Sequence, residues 1–339
     1  MKKGLSFFLC LFLMVFLVLA PMLIGDGIGK NIYRLKKEKQ EDAFRGTLEF
    51  WHVVSFKTPV GSGYEYLKQH CIRFERNTPY VFVDLKGMTV EEAKRRMNEG
   101  EYPDLISYPA GTFDENKMTS LEKPVNIIPC LSDVSEKSVP YMMDSYVMVT
   151  NRSLMRELGV QKGFGVELSR EMYGDAYRKL SDAGMIPISA TETIGLDPCN
   201  IAQNMMLVSD ESYITEVSLP ELIKVEIGRD IFLKGQSGMY LCPYSEYLLM
   251  KKEGLGFDIE GYPASDHTDA VQMMGVYKSA DPRKEDMSVQ LAEGFFTDNM
   301  QRKLENILML PCMVIEGIYE SDADRQEIYG RICEKGMKS

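Results

Sequence analysis

The stretch that begins at residue 46 alternates between short apolar runs and amphipathic runs, and this order restricts the fold more than any other feature. GTLEFWHVVSF (46–56), rich in aromatic and β-branched residues, predicts a strand, as do PYVFVDLK (79–86) and DLISY (104–108). The residues between these strands, 64–77 and 89–100, predict helices. A strand–helix–strand–helix–strand order indicates a parallel sheet with helices packed on it, and hence an α/β protein.

Local signals support both helices. In 64–77 the apolar residues recur at helical spacing, and in 89–100 Thr89 and Glu92 have the spacing of a capping box, with Gly100 at the end. Ser62 and the glycines of PVGSGY (59–64) precede the first helix. They predict either a binding spot for a polar or anionic group or an ordinary capping turn.

The rest of the chain continues the alternation. SYVMVT (145–150) predicts a strand that leads directly into a helix at 152–158, capped by Asn151. A helix is also predicted at 219–235, and Asp281 with Pro282 starts a long helix that extends to about Phe296. Further predicted elements are a helix at 171–185 and strands at 186–190, from 237, and at 270–280.

Composition and charge indicate a soluble globular body and argue against one class of function. The 339 residues are enough for two domains, and 45% hydrophobic with 26% charged residues is typical of a soluble globular body. A net charge of −11 argues against a nucleic-acid partner, because such binding needs a basic face.

The N-terminus has a different character. Lys2 and Lys3 precede an uncharged apolar run, residues 4–25, which is long enough to span a bilayer. We expect 1–25 to be an uncleaved membrane anchor or a cleaved signal segment, followed by a polar linker at 26–45. The basic residues that follow the run oppose the positive-inside rule, but either interpretation places the remaining chain outside the cytoplasm.

Sequence signals for catalysis are nearly absent, and the cysteine spacing does not indicate a zinc site. The three histidines do not form an HExxH pair, and there is no GxSxG elbow or Walker loop. Six of the seven cysteines lie outside the apolar run, none of them in a CxxC pair, so we expect mostly free, buried thiols and no zinc site. The expectation is a binding protein, not an enzyme, with no cofactor and no metal.

Six local matches, in order, carry a resemblance to a known family. They are GTLEFWH, FERNTPYVFVDL, GEYPDLISY, VPYMMDSYVMVTNRSLMRELGV, FLKGQSGMYLCPY and GVYKSADPRKEDMSVQLAEGFF. Together they span about residues 46–315. The sequence resembles the family 1 extracellular solute-binding proteins, the maltose-binding-protein-like receptors of ABC importers. One departure is Tyr244, which stands where many relatives have tryptophan.

The resemblance implies a two-lobe, type II periplasmic-binding-protein-like fold with a ligand cleft between hinged lobes. Lobe 1 would comprise 46–145 and 275–312, and lobe 2 would comprise 146–274 and 313–339. It also implies a monomer that delivers a carbohydrate or another polar small molecule to the membrane subunits of an ABC permease. The alternative is a membrane-tethered sensor or scaffold that keeps the fold without transport.

The expected ligand site follows from the architecture. Ligands bind beyond the carboxyl ends of strands in open α/β sheets, so the flat or hydrogen-bonding side chains at those ends are candidates. For each of them a structural role in the core is the alternative, above all for Trp51, which strand alternation could bury. The predicted ligand-binding residues are Trp51, His52, Ser55, Tyr108, Tyr141, Asp144 and Tyr244.

Overall fold

The computed structural model describes residues 44–54, 58–160, 170–191, 197–207, 223–263 and 270–335. The chain divides into two compact units, Met1–Gly46 and Thr47–Ser339, and the second contains nearly all the elements described below. The predicted N-terminal segment 1–25 and most of the linker 26–45 lie outside the described residues. Within the described part of the chain, no helix has the length and apolar character needed to cross a membrane.

The strands of the first sheet come from three separate parts of the sequence. They are β1 (Gly46–Val53), β2 (Val81–Met88), β3 (Leu105–Pro109), β4 (Met118–Thr119), β5 (Val139–Met143), β11 (Val271–Tyr277) and β12 (Leu310–Pro311). Their spatial order is β12-β5-β11-β3-β1-β2, with β4 paired to the outer part of β11.

Register in the first sheet places three strand ends at one edge. β1 runs parallel to β3, with His52 opposite Ser107, and β11 runs antiparallel to β3, with Gln272 opposite Pro109. β5 runs antiparallel to β11 and brings Met142 beside Gln272. The carboxyl ends of β1, β3 and β5 therefore lie at the same edge as the start of β11.

The second sheet has five strands in the order β10-β6-β9-β7-β8. β6 lies between two antiparallel neighbours, with Tyr146 opposite Pro243, while β7 runs parallel to both β8 and β9. Its strands are β6 (Tyr146–Asn151), β7 (Ile186–Ala190), β8 (Val225–Ile227), β9 (Ser237–Pro243) and β10 (Ile259–Pro263).

Two passages of the chain link the sheets. Only Asp144 and Ser145 separate β5 from β6, and the return runs from the end of β10 at Pro263 to the start of β11 at Val271. The two-residue link forces the edge of the first sheet where β5 ends to meet the edge of the second where β6 starts. We call these the facing edges. The exact lobe boundaries remain a prediction, although β11 lies in the first sheet from Val271 onwards.

Ten α-helices pack around these sheets in the described part of the chain. They are α1 (Gly63–Asn77), α2 (Val90–Asn98), α3 (Arg152–Glu157), α4 (Arg170–Asp182), α5 (Pro198–Leu207), α6 (Arg229–Leu233), α7 (Tyr244–Glu253), α8 (Pro282–Glu293), α9 (Asp298–Arg302) and α10 (Ala323–Lys335). Short 3₁₀ turns at Pro129–Leu131, Gly294–Phe296 and Lys303–Ile307 complete the elements.

The predicted helix starts are confirmed by their caps. The side chain of Thr89 accepts the Glu92 amide at the start of α2, and Asn151 accepts the Leu154 amide at the start of α3. Asp281 caps α8 directly before Pro282. These short polar side chains satisfy amides that have no partner inside the helix.

One prediction of secondary structure was wrong, and one strand was not predicted. The predicted helix at 219–235 contains β8, because Val225 and Ile227 extend the second sheet beside β7, and within its described part, 223–235, only α6 is helical. Gly228 separates the two with a φ of 158°. Residues 139–143 form the buried strand β5, which periodicity had not indicated, since both of its faces are covered.

Gln301 on α9 holds the end of the first sheet together. Its amide nitrogen donates to the carbonyls of Tyr141 (2.8 Å) and Phe295 (2.9 Å), and its oxygen accepts the Cys312 amide (3.1 Å). The side chain is fully buried. One glutamine therefore satisfies three backbone groups that are shielded from water.

We expect Gln301→Leu to lower the free energy of unfolding by about 3 kcal/mol, because it leaves three buried backbone groups without partners while keeping a similar volume. Gln290→Leu, on the exposed side of α8, is the control and should change stability by less than about 0.5 kcal/mol. Urea denaturation of both variants measures the difference. Equal stabilities would show that the Gln301 hydrogen bonds contribute nothing net.

Candidate functional site

Four buried polar side chains meet at the facing edge of the first sheet. The Ser107 hydroxyl lies 3.0 Å from His52 Nδ1 and 2.8 Å from the Tyr141 hydroxyl, and it accepts a 2.9 Å hydrogen bond from Gln272 Nε2. Gln272 Nε2 also donates to the carbonyl of Val53. The hydrogen bonds thus join β1, β3, β5 and β11 at the edge where ligands bind in open α/β sheets.

His52 in this cluster is neutral at physiological pH. Its side chain is buried, and burial lowers its pKa to about 4 because the low-dielectric surroundings disfavour the charged imidazolium. His70, the second histidine that is buried among the described residues, lies elsewhere, against Phe295 with a ring-centroid distance of 4.2 Å. Two of the predicted site residues, His52 and Tyr141, are therefore brought together through a shared hydroxyl.

Asp144 occupies the link between the sheets. Its Oδ1 accepts the Ser145 amide (2.8 Å) and the Ser245 amide (3.2 Å), and the Ser245 hydroxyl donates to Oδ2. Its own amide donates to the carbonyl of Ala270 in the return passage (2.9 Å). Because Pro243 offers no side-chain cap, the Asp144 carboxylate serves as the anion at the start of α7.

The Asp144 carboxyl titrates near neutrality. Burial raises its pKa to about 7, an effect opposed by the hydrogen bonds from Ser245 and Ser145 and reinforced by the charge of Glu246. The pKa of the nearby Cys242 thiol on β9 is raised by burial and, to a smaller extent, by the charges of Glu246 and Asp144. The link between the sheets thus contains an acid whose charge changes within the physiological pH range.

Trp51 lies on the opposite face of β1 from His52, as strand alternation requires. Its indole Nε1 donates to Glu49 Oε1 (2.9 Å), and the guanidinium of Arg96 lies 5.8 Å from the ring centroid. Only 1% of the residue is exposed. The structure places it in the core beside α2, away from the His52 cluster.

Tyr108 also points away from that cluster. Its hydroxyl donates to Glu115 Oε1 (2.5 Å) and lies 2.7 Å from the Ser138 hydroxyl, and these contacts attach the loop between β3 and β5 to the first sheet. The side chain is fully buried. These contacts are those of a structural residue.

Tyr244 begins α7 beside the Asp144 carboxylate. Its amide donates to the Ser145 carbonyl (2.6 Å), and its ring packs on Tyr247 with 6.1 Å between centroids. The residue is fully buried, and its hydroxyl has no hydrogen-bond partner among the described residues. Ser55, the remaining candidate, lies outside the described residues. The assignment of all seven as ligand contacts stays a prediction.

Sequence reasoning missed Ser107 and Gln272, which hold the His52 cluster together. Each is a single polar residue inside an apolar strand, LISYP and VQMMGVY. Both are buried, and a buried polar group must find a partner. An isolated polar residue in a predicted buried strand is therefore the signal that could have identified them.

A second polar group lies at the facing edge of the second sheet. Glu246 Oε1 accepts a hydrogen bond from the Tyr240 hydroxyl (2.9 Å) and lies 3.2 Å from Arg229 Nε at the start of α6. Burial raises the pKa of Glu246, although Tyr240 and Arg229 oppose the shift. These residues were not predicted from the sequence either. They place one acidic side chain, Glu246, and one basic side chain, Arg229, at this edge.

The described residues contain no cluster of histidine, cysteine and carboxylate side chains that could hold a metal ion. None of the six described cysteines forms a disulfide, and Cys71, Cys242, Cys312 and Cys333 are buried. Burial raises the pKa of the Cys71 thiol to about 12, so it is not a reactive thiolate at neutral pH.

Three solved structures share this architecture over most of their length. The cyclic α-maltosyl-1,6-maltose binding protein of Arthrobacter globiformis has a TM-score of 0.60 at 10% identity, covering 87% of both chains. The ABC substrate-binding protein Lmo0181 of Listeria monocytogenes, solved with cycloalternan, has 0.56 at 13%, covering 86% of this chain and 87% of that one. This chain has the two-lobe periplasmic-binding-protein-like fold.

The GacH receptor of Streptomyces glaucescens, solved unliganded and with acarbose, agrees with this fold at a TM-score of 0.55 and 14% identity, covering 86% of this chain and 87% of that one. No protein-family model matches the chain, and no curated protein matches it in sequence. The fold is therefore shown by structural similarity at low sequence identity.

The raised pKa of Asp144 sets the sign of a pH effect. Between the ordinary pKa of a carboxyl group, about 4, and the folded value of about 7, the native state binds more protons than the unfolded state. The free energy of unfolding therefore falls as pH rises through this window. Asp144→Asn keeps an acceptor for both amides and cannot ionise. We expect it to gain up to about 4 kcal/mol relative to the wild type between pH 4 and pH 8.

Denaturant unfolding of both proteins at half-unit pH intervals measures this difference. Comparison with the wild type is necessary because the lowered pKa values of His52 and His70 act in the opposite direction, stabilising the native state as pH rises from 4 to 6.5. Their contribution is the same in both proteins and cancels. Parallel stability curves would mean that Asp144 does not titrate in this window.

Because Tyr244 is fully buried, substitutions at this position can show whether its ring stabilises the core or contacts the ligand. We expect Tyr244→Ala to lower the free energy of unfolding by about 3–5 kcal/mol through loss of the buried ring, and Tyr244→Phe to leave it unchanged or raise it by about 1 kcal/mol, since the hydroxyl has no partner. Thermal and urea unfolding check both values. A stable Tyr244→Ala protein with tenfold weaker solute binding would instead assign the ring to the ligand.

Proposed function

We propose that this chain is an extracytoplasmic solute-binding protein that delivers a carbohydrate or another polar small molecule to the membrane subunits of an ABC permease. The observation that carries the proposal is the pair of sheets joined by Asp144–Ser145 and by the 264–270 return, in a fold shared with three proteins that bind oligosaccharides. Hinged closure of two such lobes around a solute needs no covalent chemistry.

The polar groups at the facing edges fit this role. His52, at the edge of the first sheet, and the Arg229–Glu246 pair, at the edge of the second, are the hydrogen-bonding groups that a polar solute would meet there. Binding sites for small molecules commonly combine buried surface with a few fixed polar groups. We further propose a monomer, held at the membrane by residues 1–25 or exported by their cleavage.

The burial of the predicted aromatic platforms supports a second candidate. Trp51, Tyr108, Tyr141 and Tyr244 are each exposed by 1% or less, so none of them offers an open stacking face in this structure. A membrane-tethered sensor or scaffold with the same fold would not need such a face. Permease genes beside this one would favour transport, and a histidine-kinase gene would favour sensing.

A thermal-shift panel on the full-length protein tests the proposed function. Acarbose, cycloalternan, cyclic maltosyl-maltose, maltotriose, amino acids and polyamines are added, with glycerol at matched osmolality as the control for nonspecific stabilisation. A solute at a hundred times its Kd should stabilise the protein by about 2.7 kcal/mol, which raises Tm by roughly 5 °C. If no solute raises Tm above the control, the sensor or scaffold candidate replaces transport.

A further inference from the structure

A cavity of about 490 Å³ lies at the edge of the first sheet opposite the facing edge, where β3 starts and β11 ends. This volume falls within the range of about 300–1,000 Å³ that is typical of small-molecule sites. The polar and aromatic side chains that line the cavity include Tyr102, Asp104, Lys117, Tyr277, Lys278 and Ser279. The cavity is therefore separate from the polar groups at the facing edges.

Two lysines of the cavity lie directly opposite each other on neighbouring chain segments. The antiparallel register of β4 and β11 pairs Tyr277 with Met118, and extending it by one residue places Lys278 opposite Lys117. The Lys278 amide donates to the Lys117 carbonyl at 3.0 Å, as this register requires. The side chains of opposite residues start about 4.5–5.5 Å apart on the same face, and like charges placed there destabilise a sheet. An anion between the two ammonium groups would remove that repulsion.

Neither lysine forms an ion pair with a carboxylate among the described residues. The Lys117 ammonium donates to the Tyr102 hydroxyl (2.7 Å) and lies 4.1 Å from the centroid of the Tyr102 ring. Tyr277 packs against Tyr102 in turn, with 5.3 Å between the ring centroids. These contacts hold the Lys117 cation in place without neutralising it, while the Lys278 side chain is exposed.

The carboxylates at and beside the cavity have donors of their own. Asp104 Oδ2 accepts the Glu49 amide (2.8 Å) and lies 2.8 Å from Lys284 Nζ. Asp114 accepts the backbone amide and the side-chain amide of Asn116, each at 3.0 Å. Because Asp104 is already paired with a third lysine, the side chains that line the cavity carry net positive charge in a chain whose net charge is −11.

Ser279 adds a neutral donor beside the two lysines. Its amide donates to Glu285 Oε2 (2.8 Å), and its hydroxyl oxygen accepts the Asp281 amide (3.2 Å). The hydrogen bonds from Thr119 and Ser279 and, to a smaller extent, the charge of Lys278 lower the pKa of the Glu285 carboxyl. Among the described residues the Ser279 hydroxyl hydrogen has no acceptor, so it can be given to a ligand.

We propose that this cavity binds the phosphoryl group of a phosphate monoester. Such a group carries a charge of about −1.5 to −2 near neutral pH and has three strong acceptor oxygens, which suits two ammonium groups and a hydroxyl. A planar carboxylate is bound best by the fork of an arginine, and no arginine is among the described residues that line the cavity. The volume leaves room for the organic part of the ester. This ligand is additional to the solute of the proposed function.

Titration calorimetry on the full-length protein tests the site with three matched probes: sn-glycerol 1-phosphate, its carboxylate counterpart glycerate, and neutral glycerol. All titrations use one ionic strength, because salt screens exposed charges. Lys117→Gln and Lys278→Gln each remove one cation from the cavity. Lys252→Gln, at an exposed position near the end of α7, makes the same change in net charge elsewhere and is the control.

We expect the wild type to bind glycerol phosphate at least tenfold more tightly than glycerate, and to bind glycerol not at all. Lys117→Gln and Lys278→Gln should each lose at least fivefold in affinity for glycerol phosphate, and Lys252→Gln should match the wild type. The inference is overturned if the wild type shows no saturable binding of glycerol phosphate, or if Lys252→Gln loses as much as Lys278→Gln. None of these results depends on whether a saccharide binds at the facing edges.

Unfolding by urea separates a ligand role of the lysines from a structural one. Without ligand, Lys278→Gln should be at least as stable as the wild type, because the substitution removes the repulsion from Lys117. With glycerol phosphate added, the wild type should gain stability by mass action and Lys278→Gln should gain less. A Lys278→Gln protein that is less stable than the wild type without ligand would assign Lys278 to the structure and overturn the inference.

Dibutyryl phosphatidic acid, a water-soluble lipid with a phosphate monoester headgroup, identifies the source of the phosphoryl group. If it binds more tightly than glycerol phosphate and Lys278→Gln weakens it, the site takes a lipid headgroup. If only glycerol phosphate binds, the site takes a soluble ester. If Lys278→Gln weakens neither probe, the phosphoryl group is not bound in this cavity and the inference is overturned.

Discussion

The two-residue link between β5 and β6 is the constraint on which the rest of the structure depends. A connection of only Asp144 and Ser145 leaves no length for a detour, so the two sheets must meet at the edges where β5 ends and β6 begins. The His52 cluster, Asp144 and the Arg229–Glu246 pair lie near those edges. The link is also the place where the backbone would have to bend if the lobes moved.

The same link explains why a carboxylate is buried there. The start of α7 follows Pro243, which has no side-chain cap, and the helix amides need an anion or acceptor from elsewhere in the chain. Asp144 supplies it from the link, and its amide ties the link to Ala270 in the return passage. The two passages between the sheets and the start of α7 are thus joined through Asp144, which loses hydration of its charge in this position.

Much of the fold could be predicted because its elements carry local signals. Thr89, Asn151 and Asp281 cap helices whose starts their residue types indicate, and the strand at 186–190 was predicted at the residues where it occurs. β5 could not be predicted in this way, since a strand buried on both faces has no alternation. β8 is too short for a periodic signal, and only its pairing with β7 makes it a strand.

The candidate site was less predictable than the fold. The sequence locates the end of a strand, but it does not show which face of the sheet each side chain there points to. Trp51 and His52 are adjacent in sequence, yet alternation sends the indole towards Arg96 and the imidazole towards Ser107. A prediction that is wrong by one residue along the strand therefore names a core residue in place of a site residue. The partners of a buried polar group are further removed still from sequence. The Ser107 hydroxyl that His52 contacts is shared with Tyr141, which reaches the same serine from a strand that sequence did not reveal.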